Sequence, residues 1–192
     1  MSGALITGKI EDRGVLEKLA AIRARTENMR PVWADIGQII LESIQRNFRE
    51  HRAPDGTPWQ PVSAAYARWK SSKGKSPGNI LNLKGLLQKL IHTTVASDSV
   101  TIGTNVVYAA IHQFGGEIKK KERKSTVYFH RNERTGEVGR KFVKRGKSNY
   151  AEDVTIGEHS ITMPPRPYLG ATEDDWRRVA VALRKYIVTG EV

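Results

Sequence analysis

The chain has 192 residues, of which 39% are hydrophobic and none is cysteine, and its formal net charge is +12. This length predicts one domain, or one domain with a long excursion, around a lean hydrophobic core. The lack of cysteine excludes a disulfide framework, a thiolate metal site and a cysteine nucleophile. No apolar run approaches the ~20 residues that span a bilayer, and residues 1–6 lack the basic and apolar regions of a signal peptide. We therefore expect a soluble protein of a cytoplasm, without a membrane partner.

Two amphipathic helices are predicted in residues 11–50. Residues 11–28 place an apolar stripe on one helical face, formed by Val15, Leu16, Leu19 and Ile22. Pro31 suits the first turn of a second helix, which we predict over residues 31–49. Its apolar side chains recur every three or four positions: Val32, Ile36, Ile39, Ile40, Ile44 and Phe48.

Residues 51–80 are predicted as a Pro- and Gly-rich loop and linker. The Pro-Asp-Gly sequence at positions 54–56 has the composition of a turn. Trp59 stands between two prolines and is predicted to anchor this loop on the core. Ser63 is predicted to cap a short helix, and residues 71–78 have the composition of a flexible linker.

Residues 81–116 are predicted to hold a helix, a hairpin and a second short helix. Leucines and an isoleucine recur at helical spacing over 81–91, and residues 93–95 and 100–102 alternate as the strands of a hairpin. Gly103 ends the second strand, and Asn105 is interpreted as the N-cap of a helix that two glycines close. We treat this unit as the structural hub of the fold, with Gly103, Asn105, Tyr108, His112, Phe114, Gly115 and Gly116, joined by Trp59, Pro164 and Pro167.

Most of the positive charge lies in one segment. Residues 117–147 contain twelve basic and four acidic side chains, so they carry +8 of the total of +12. We predict a basic hairpin arm over 117–150, with strands at 125–130 and 139–143 and its tip at 132–136. The arm has three interpretations: a protein–protein contact, a solvated ribbon whose charges protect its edges, or a nucleic-acid contact. The candidate interface residues are Lys119, Lys120, Lys121, Arg123, Tyr128, Phe129, Arg131, Arg140, Phe142, Lys144, Arg145 and Arg166.

The remainder, residues 151–192, is predicted as a hairpin, a Pro-rich segment and a helix. Residues 154–156 and 160–162 are predicted to pair as strands. Residues 163–170 are predicted to form a rigid extended segment that leads into the last helix. This segment is either a plain linker or holds Arg166 in place for an ion pair. Thr172 and Asp175 form a capping box for the last helix. Its predicted buried stripe is Trp176, Val179, Ala180, Leu183, Tyr186 and Ile187.

These elements predict an α+β fold in which a small antiparallel sheet packs against N-terminal and C-terminal helices and carries the basic hairpin as an insertion. We assign residues 1–192 to one domain, in the order 11–50, 51–80, 81–116, 117–150, 151–170 and 171–192. The five histidines have no metal-ligand spacing, and His112 fits a packed position better than a catalytic base. We predict no enzyme, no cofactor and no metal site.

Five motifs occur in order along nearly the whole chain, and together they carry a family resemblance. They are the segments at 54–59, 81–90, 102–105, 108–116 and 164–170. With these motifs the chain resembles the phage virion morphogenesis family, which includes late virion assembly proteins of Mu-like phages and tail completion proteins of P2-like phages.

The resemblance implies a structural protein of the head–tail neck, a tail completion or tail terminator ring that is usually hexameric. The implied partners are copies of the chain, phage connector or neck proteins and tail tube proteins, with a transient contact to genomic DNA in the channel. The implied location is the virion neck or tail end, after assembly in the host cytoplasm. We predict that residues 119–147 and 164–167 lie at subunit or connector interfaces. The alternative is a nucleic-acid-binding protein that uses the 117–150 arm.

Overall fold

The computed structural model describes residues 13–192, and the chain divides into two compact units. The first unit comprises residues 13–114 and 165–192, and the second is Gly115–Pro164. The predictions for residues 1–6 and for Glu11 and Asp12 lie outside the described residues. Helices and short antiparallel strand pairs confirm the α+β class, whereas the assignment to one domain stays a prediction.

The first unit contains all the α-helices that the structure describes and one strand pair. The strands β1 and β2 form the predicted hairpin, in which Thr93 faces Ile102 and Val95 faces Val100. The bounds of these elements are α1 Arg13–Glu27, α2 Arg30–Glu50, α3 Ala64–Ser72, α4 Leu86–Lys89, β1 His92–Val95, β2 Val100–Gly103, α5 Ala109–Phe114 and α6 Glu173–Thr189.

The α2 helix is the centre of the first unit, with the β1–β2 hairpin and α6 packed against it. One buried cluster surrounds Phe48 and includes Ile44, Trp59, Leu87 and Tyr168. A second cluster joins Val32 and Ile36 of α2 to Tyr186 of α6. Each such side chain contributes roughly 1.5–3 kcal/mol when it is fully buried, so the predicted apolar face of α2 is confirmed as the main core element.

The hairpin approaches α2 closely because residue 37 is glycine. A Cβ atom at Gly37 would lie 3.0 Å from Cγ2 of Val100 and 3.5 Å from Cγ2 of Thr93. Both distances leave little room for a larger side chain. This glycine interrupts an apolar helical pattern, and the sequence pattern did not show that it serves helix–sheet packing.

The last helix has the predicted capping box, but its buried face differs from the predicted one. The Thr172 hydroxyl accepts from the Asp175 backbone N–H at 3.1 Å, and the Asp175 carboxylate accepts from the Thr172 N–H at 2.8 Å. Asp175, Ala182 and Tyr186 are buried, whereas Trp176 and Ala180 are exposed. The apolar spacing had placed Trp176 and Ala180 inside. The helix is instead turned so that the Asp175 carboxylate faces α2, where it contacts Ser43 and Arg46.

The helices α4 and α5 are shorter than predicted. Residues 81–85 are not helical, since Leu81 and Gly85 have φ values of 58° and 72°, and α4 begins only at Leu86. The assignment of Asn105 as a helix N-cap is wrong, because α5 begins four residues later at Ala109. Left-handed backbone at Leu81 and Gly85 breaks the apolar pattern that had predicted a longer helix over 81–91.

The second unit is a two-stranded antiparallel ribbon. β3 (Gly116–Lys120) pairs with β6 (His159–Met163), and β4 (Arg123–Phe129) pairs with β5 (Tyr150–Ile156). The pairs Lys120–His159 and Arg123–Ile156 are three residues apart on both strands, so the register continues across the interruption. At about 3.3 Å per residue the ribbon extends about 40 Å.

The predicted pairing of this region is wrong in two places. Residues 125–130 do not pair with 139–143 as strands, and 154–156 do not pair with 160–162; 125–129, 154–156 and 160–162 join the long ribbon instead. The predicted turn at 132–136 is present, with Gly136 at φ 73° and the Asn132 side chain accepting from the Arg134 N–H at 2.9 Å. Turn composition identified local bends, whereas the ladder was decided by pairing between distant segments.

Candidate interaction surfaces

The Trp59 loop is fastened to the Pro-rich segment, as the prediction of an anchor requires. The indole N–H of Trp59 donates to the carbonyl of Pro167 at 2.7 Å, and its ring meets the Phe48 ring edge-on at 5.6 Å. Trp59 is only 4% exposed. The tryptophan therefore stabilises the loop from within the first unit and is not available to a partner.

Arg166 is buried, and its guanidinium binds backbone carbonyls. An ion pair with an acidic residue had been one of the two predictions for this side chain. Its Nε donates to the carbonyl of Gln60 at 2.8 Å and its Nη2 to that of Pro61 at 3.1 Å. The residue is 5% exposed and has no acidic partner within 4.0 Å among the described residues. Arg166 therefore acts as an internal clamp of the loop, and a direct contact with a partner would require it to leave these carbonyls.

His112 has the packed position that we predicted. Its backbone carbonyl accepts from the Arg166 N–H at 2.7 Å, and its ring stands edge-on to Tyr108 at 5.8 Å. Burial, and secondarily the Arg166 charge, lower the pKa of His112, so the neutral imidazole is favoured. Its Nδ1 is buried without a hydrogen-bond partner in the part of the chain that the structure describes.

Gln113 joins α5 to the Pro-rich segment, and the sequence analysis missed it. Its Oε1 accepts from the backbone N–H groups of Tyr168 and Leu169, both at 3.0 Å, and its Nε2 donates to the carbonyl of Leu169 at 3.2 Å. Asn47 donates to the carbonyl of Tyr168 from α2 at 3.2 Å. The sequence signal that could have identified Gln113 is its position directly before the Phe-Gly-Gly sequence at 114–116.

Asp175, which was predicted only as a capping residue, forms a second network. Ser43 and Thr172 donate to its Oδ2, and Arg46 lies 2.9 Å from its Oδ1. Burial would raise the pKa of Asp175, but these hydrogen bonds and the guanidinium outweigh burial and lower the pKa to about 2. The arrangement fixes α6 on α2.

The other hub residues divide between interior and surface. Gly103 is the last residue of β2 and does not have a positive φ, whereas Gly115 and Gly116 have φ values of 71° and 138°, as the predicted sharp turn requires. Phe114 is 76% exposed, and Val107, just before α5, is 99% exposed. The hub is therefore packed on one side only and leaves large apolar side chains in solvent.

The ribbon Gly115–Pro164 has no buried residue; all its side chains are half-buried or exposed. On β4 and β5, directly opposed residues share a face, and one face is largely apolar through Val127, Phe129, Tyr150, Val154 and Ile156. The candidate interface residues are distributed along this unit: Lys119, Lys120, Lys121 and Arg123 exposed near its base, Tyr128 and Phe129 half-buried at the far end of β4, and Arg131, Arg140, Phe142, Lys144 and Arg145 exposed in the tip.

The tip of the ribbon, residues 130–149, brings aromatic and basic groups together. The rings of Phe129 and Phe142 lie 5.2 Å apart, and the Arg131 guanidinium lies 6.0 Å from the ring centre of Tyr150. The Asn149 side chain both accepts from the Arg131 N–H and donates to its carbonyl. Phe142 is nevertheless 73% exposed.

The positive charge is concentrated at this tip. The paired flanks, residues 115–129 and 150–164, contain five basic and five acidic side chains, because the returning strand adds acids that lie beyond residue 147. The tip contains seven basic and two acidic side chains, which gives +5. A nearly neutral stem therefore presents a strongly cationic end.

Residues 13–192 contain no group of three or more histidine, cysteine or acidic side chains that could hold a metal ion. Among the same residues, no helix has the length and apolar character needed to cross a membrane.

The comparisons with known proteins assign this α+β chain to a family. The chain belongs to the phage virion morphogenesis family, whose family model matches residues 10–188. Its role is therefore in the construction of a phage virion. No solved structure matches the chain.

The chain is also similar to two curated phage proteins. The chain is 38% identical to "Putative capsid assembly protein G" of Escherichia phage Mu over 78 residues, which cover 40% of this chain and 50% of that protein. It is 26% identical to "Tail completion protein S" of Escherichia phage P2 over 127 residues, which cover 62% of this chain and 79% of that protein. The chain thus spans half the length of the Mu relative and about four fifths of the P2 relative.

Proposed function

We propose that this protein is a tail completion protein: its copies form a closed ring, with six as the expected number, that terminates the tail and joins it to the head. The similarity to the P2 tail completion protein supports this role, and the similarity to the Mu capsid assembly protein fits a position at the head–tail neck. A ring needs a repeated heterologous contact, in which two different surfaces of each copy meet.

The observation that carries this proposal is the ribbon without a core. An isolated two-stranded ribbon is at best marginally stable in water, because one strand pair buries too little apolar surface. This ribbon extends about 40 Å and has a half-buried apolar face along β4 and β5. A neighbouring subunit or connector protein that covers this face supplies the missing burial.

The charge distribution separates the roles of stem and tip. The neutral stem, with its apolar face, suits a subunit–subunit contact, whereas the +5 tip with exposed Phe142 suits an acidic surface of a neck or tail protein. Arg166 lies inside the first unit, so the interface that we propose comprises the ribbon candidates, from Lys119 to Arg145, without Arg166.

The proposal is tested by shortening the ribbon at a natural pair. Ile118 faces Ile161, so an Asn-Gly turn can join these two residues and remove residues 119–160 while preserving the base of the ribbon. Light scattering should give the mass of a ring for the full chain and a monomer for the shortened chain. Phage that lacks the gene should be completed by the full chain and should accumulate unjoined heads and tails with the shortened one.

A matched control removes charge and keeps the ribbon. The triple variant Arg140→Ser, Lys141→Ser and Lys144→Ser alters three exposed tip residues that form no ion pair with any residue from 13 to 192. We expect it to form the ring and to fail in joining. A shortened chain that still forms rings and completes particles contradicts the proposal.

The second candidate function is nucleic-acid binding by the tip, which the +5 charge and the exposed Phe142 favour. In this case the full chain should bind duplex DNA with an affinity that falls steeply with salt, and the triple serine variant should lose most of that affinity. Binding that is absent at about 50 mM salt, where phosphate contacts are strong, together with ring formation, excludes this candidate.

A further inference from the structure

An open apolar groove of about 420 Å³ lies in the first unit between α2, β2 and the beginning of α6. Trp33 lines this groove, and its indole N–H is buried without an acceptor among residues 13–192. Trp176, across the groove on α6, is 60% exposed. The groove therefore presents apolar surface without a partner in this part of the chain. Its principal lining residues are Trp33, Ile36, Ile40, Val100, Ile102 and Trp176.

The first half of α1 is a convex surface of matching character. All residues from 14 to 20 are exposed, and the predicted stripe of Val15, Leu16 and Leu19 is more than half exposed at 58%, 57% and 56%. Arg25, in the second half of the helix, donates to the carbonyls of Ile187 at 2.9 Å and Val188 at 2.6 Å. The helix is thus attached at one end and carries an uncovered apolar stripe at the other.

The charges of the two surfaces are complementary. Asp98 precedes the groove residue Ser99, and Asp174 lies two residues before Trp176; neither forms an ion pair with the described residues. The first half of α1, residues 13–20, contains two basic and one acidic side chain, a net charge of +1. Opposite charges beside an apolar contact favour one orientation of the partner.

We propose that the α1 stripe of one copy docks in the groove of the next copy. This inference rests on the proposed ring and names one of its repeated contacts. It is a helix-in-groove contact, in which apolar side chains at helical spacing enter a hydrophobic channel. Because donor helix and acceptor groove are different surfaces of the same chain, the contact repeats in one direction and closes when the rotation permits.

Disulfide cross-linking tests the contact directly, since the chain contains no cysteine. A chain with both Leu16→Cys and Trp176→Cys should form a covalent ladder of multimers on oxidation. A mixture of the Leu16→Cys chain with the Trp176→Cys chain should give linked dimers and nothing larger. The matched control pairs Leu16→Cys with Val181→Cys, which is exposed on α6 outside the groove and should not link.

Charge insertion tests the energetic contribution. Leu19→Glu and Trp176→Glu alter exposed residues, and each should weaken self-association by about 30-fold or more, as expected for central interface residues. Ala24→Glu lies about 140° around the helix from Leu19 and Val181→Glu lies outside the groove, so both should associate as the unmodified chain does.

The outcomes separate this inference from the proposed function. The α1–groove contact is overturned if rings persist in both glutamate variants and residues 16 and 176 do not cross-link. The proposed ring itself is unaffected by that result. Cross-links between two Leu16→Cys chains alone also overturn it, because they show α1 pairing with itself. A full chain that remains a monomer at all concentrations overturns both proposals.

Discussion

At the scale of single residues, buried polar groups determine how the elements of the first unit meet. Asp175 is fully buried and accepts hydrogen bonds from Ser43, Arg46 and Thr172. Its carboxylate is stabilised in the ionised form because its pKa lies at about 2 in the folded protein, below the ordinary value of 3.8. Stability from this group is therefore fully present above about pH 4 and is lost as the pH falls toward about 2.

Asp175→Asn should remove this contribution. We expect the free energy of unfolding to fall by about 3 kcal/mol at pH 7, because the variant leaves the Arg46 guanidinium without its carboxylate. The unmodified protein should lose about 2 kcal/mol from this group between about pH 5 and pH 2, and the variant should not show that loss. Urea unfolding at neutral pH and near pH 2 measures both, with the exposed Asp174→Asn as control. An equal acid sensitivity in Asp175→Asn contradicts the assignment.

A side chain at Gly170 would overlap a rigid neighbour and require an unfavourable backbone conformation. The φ of Gly170 is 153°, and a Cβ atom there would lie 2.6 Å from Cγ of Pro54. Gly170→Ala should therefore lower the free energy of unfolding by about 2 kcal/mol or more, since backbone strain and overlap with a rigid ring act together. Gly103→Ala is the control, because a Cβ atom added there would meet nothing within 4 Å and its φ is not positive. Equal unfolding midpoints for the two variants would contradict this explanation.

At the scale of elements, local sequence patterns predicted the helices and the hairpin of the first unit but not the strand pairing of the second. The apolar period of α2, the Thr172 cap and the β1–β2 hairpin were predicted correctly because each depends on residues close in sequence. The ribbon was predicted with wrong partners because Phe129 pairs with Tyr150, across an intervening tip of 20 residues. Alternation is equally compatible with a near or a distant partner strand.

The end of α5 offers a prediction at this scale. Gly115 follows the helix with φ 71°, the left-handed conformation in which alanine is disfavoured. Gly115→Ala should cost about 1 kcal/mol, and Gly115→Asn should cost less because asparagine tolerates this conformation. Thermal melts followed by circular dichroism compare the two variants. The conformational explanation is contradicted if the alanine variant melts at the temperature of the unmodified protein. It is also contradicted if the asparagine variant melts at a lower temperature than the alanine variant.

At the scale of the whole molecule, the buried core lies in one of the two units of the chain. Both buried clusters lie in the first unit, and the ribbon Gly115–Pro164 has no buried residue. The chain shortened by the Ile118–Asn-Gly–Ile161 connection should therefore melt within a few degrees of the full chain under conditions in which both are monomers. Differential scanning calorimetry at low concentration measures this. A large loss of melting temperature would show that the ribbon stabilises the first unit within a single chain.

The sequence by itself determined the α+β class, the α2 core face, the capping box, the glycine turns, the cationic segment and the family resemblance. These properties depend on periodicity, composition and short-range hydrogen bonding, which are readable along one chain. The tertiary structure decided that Arg166 is internal, that Asp175 contacts α2, that Gln113 binds the Pro-rich segment and that the charge lies at a ribbon tip. These properties depend on contacts between residues distant in sequence, where many partners satisfy the same local pattern and burial selects one.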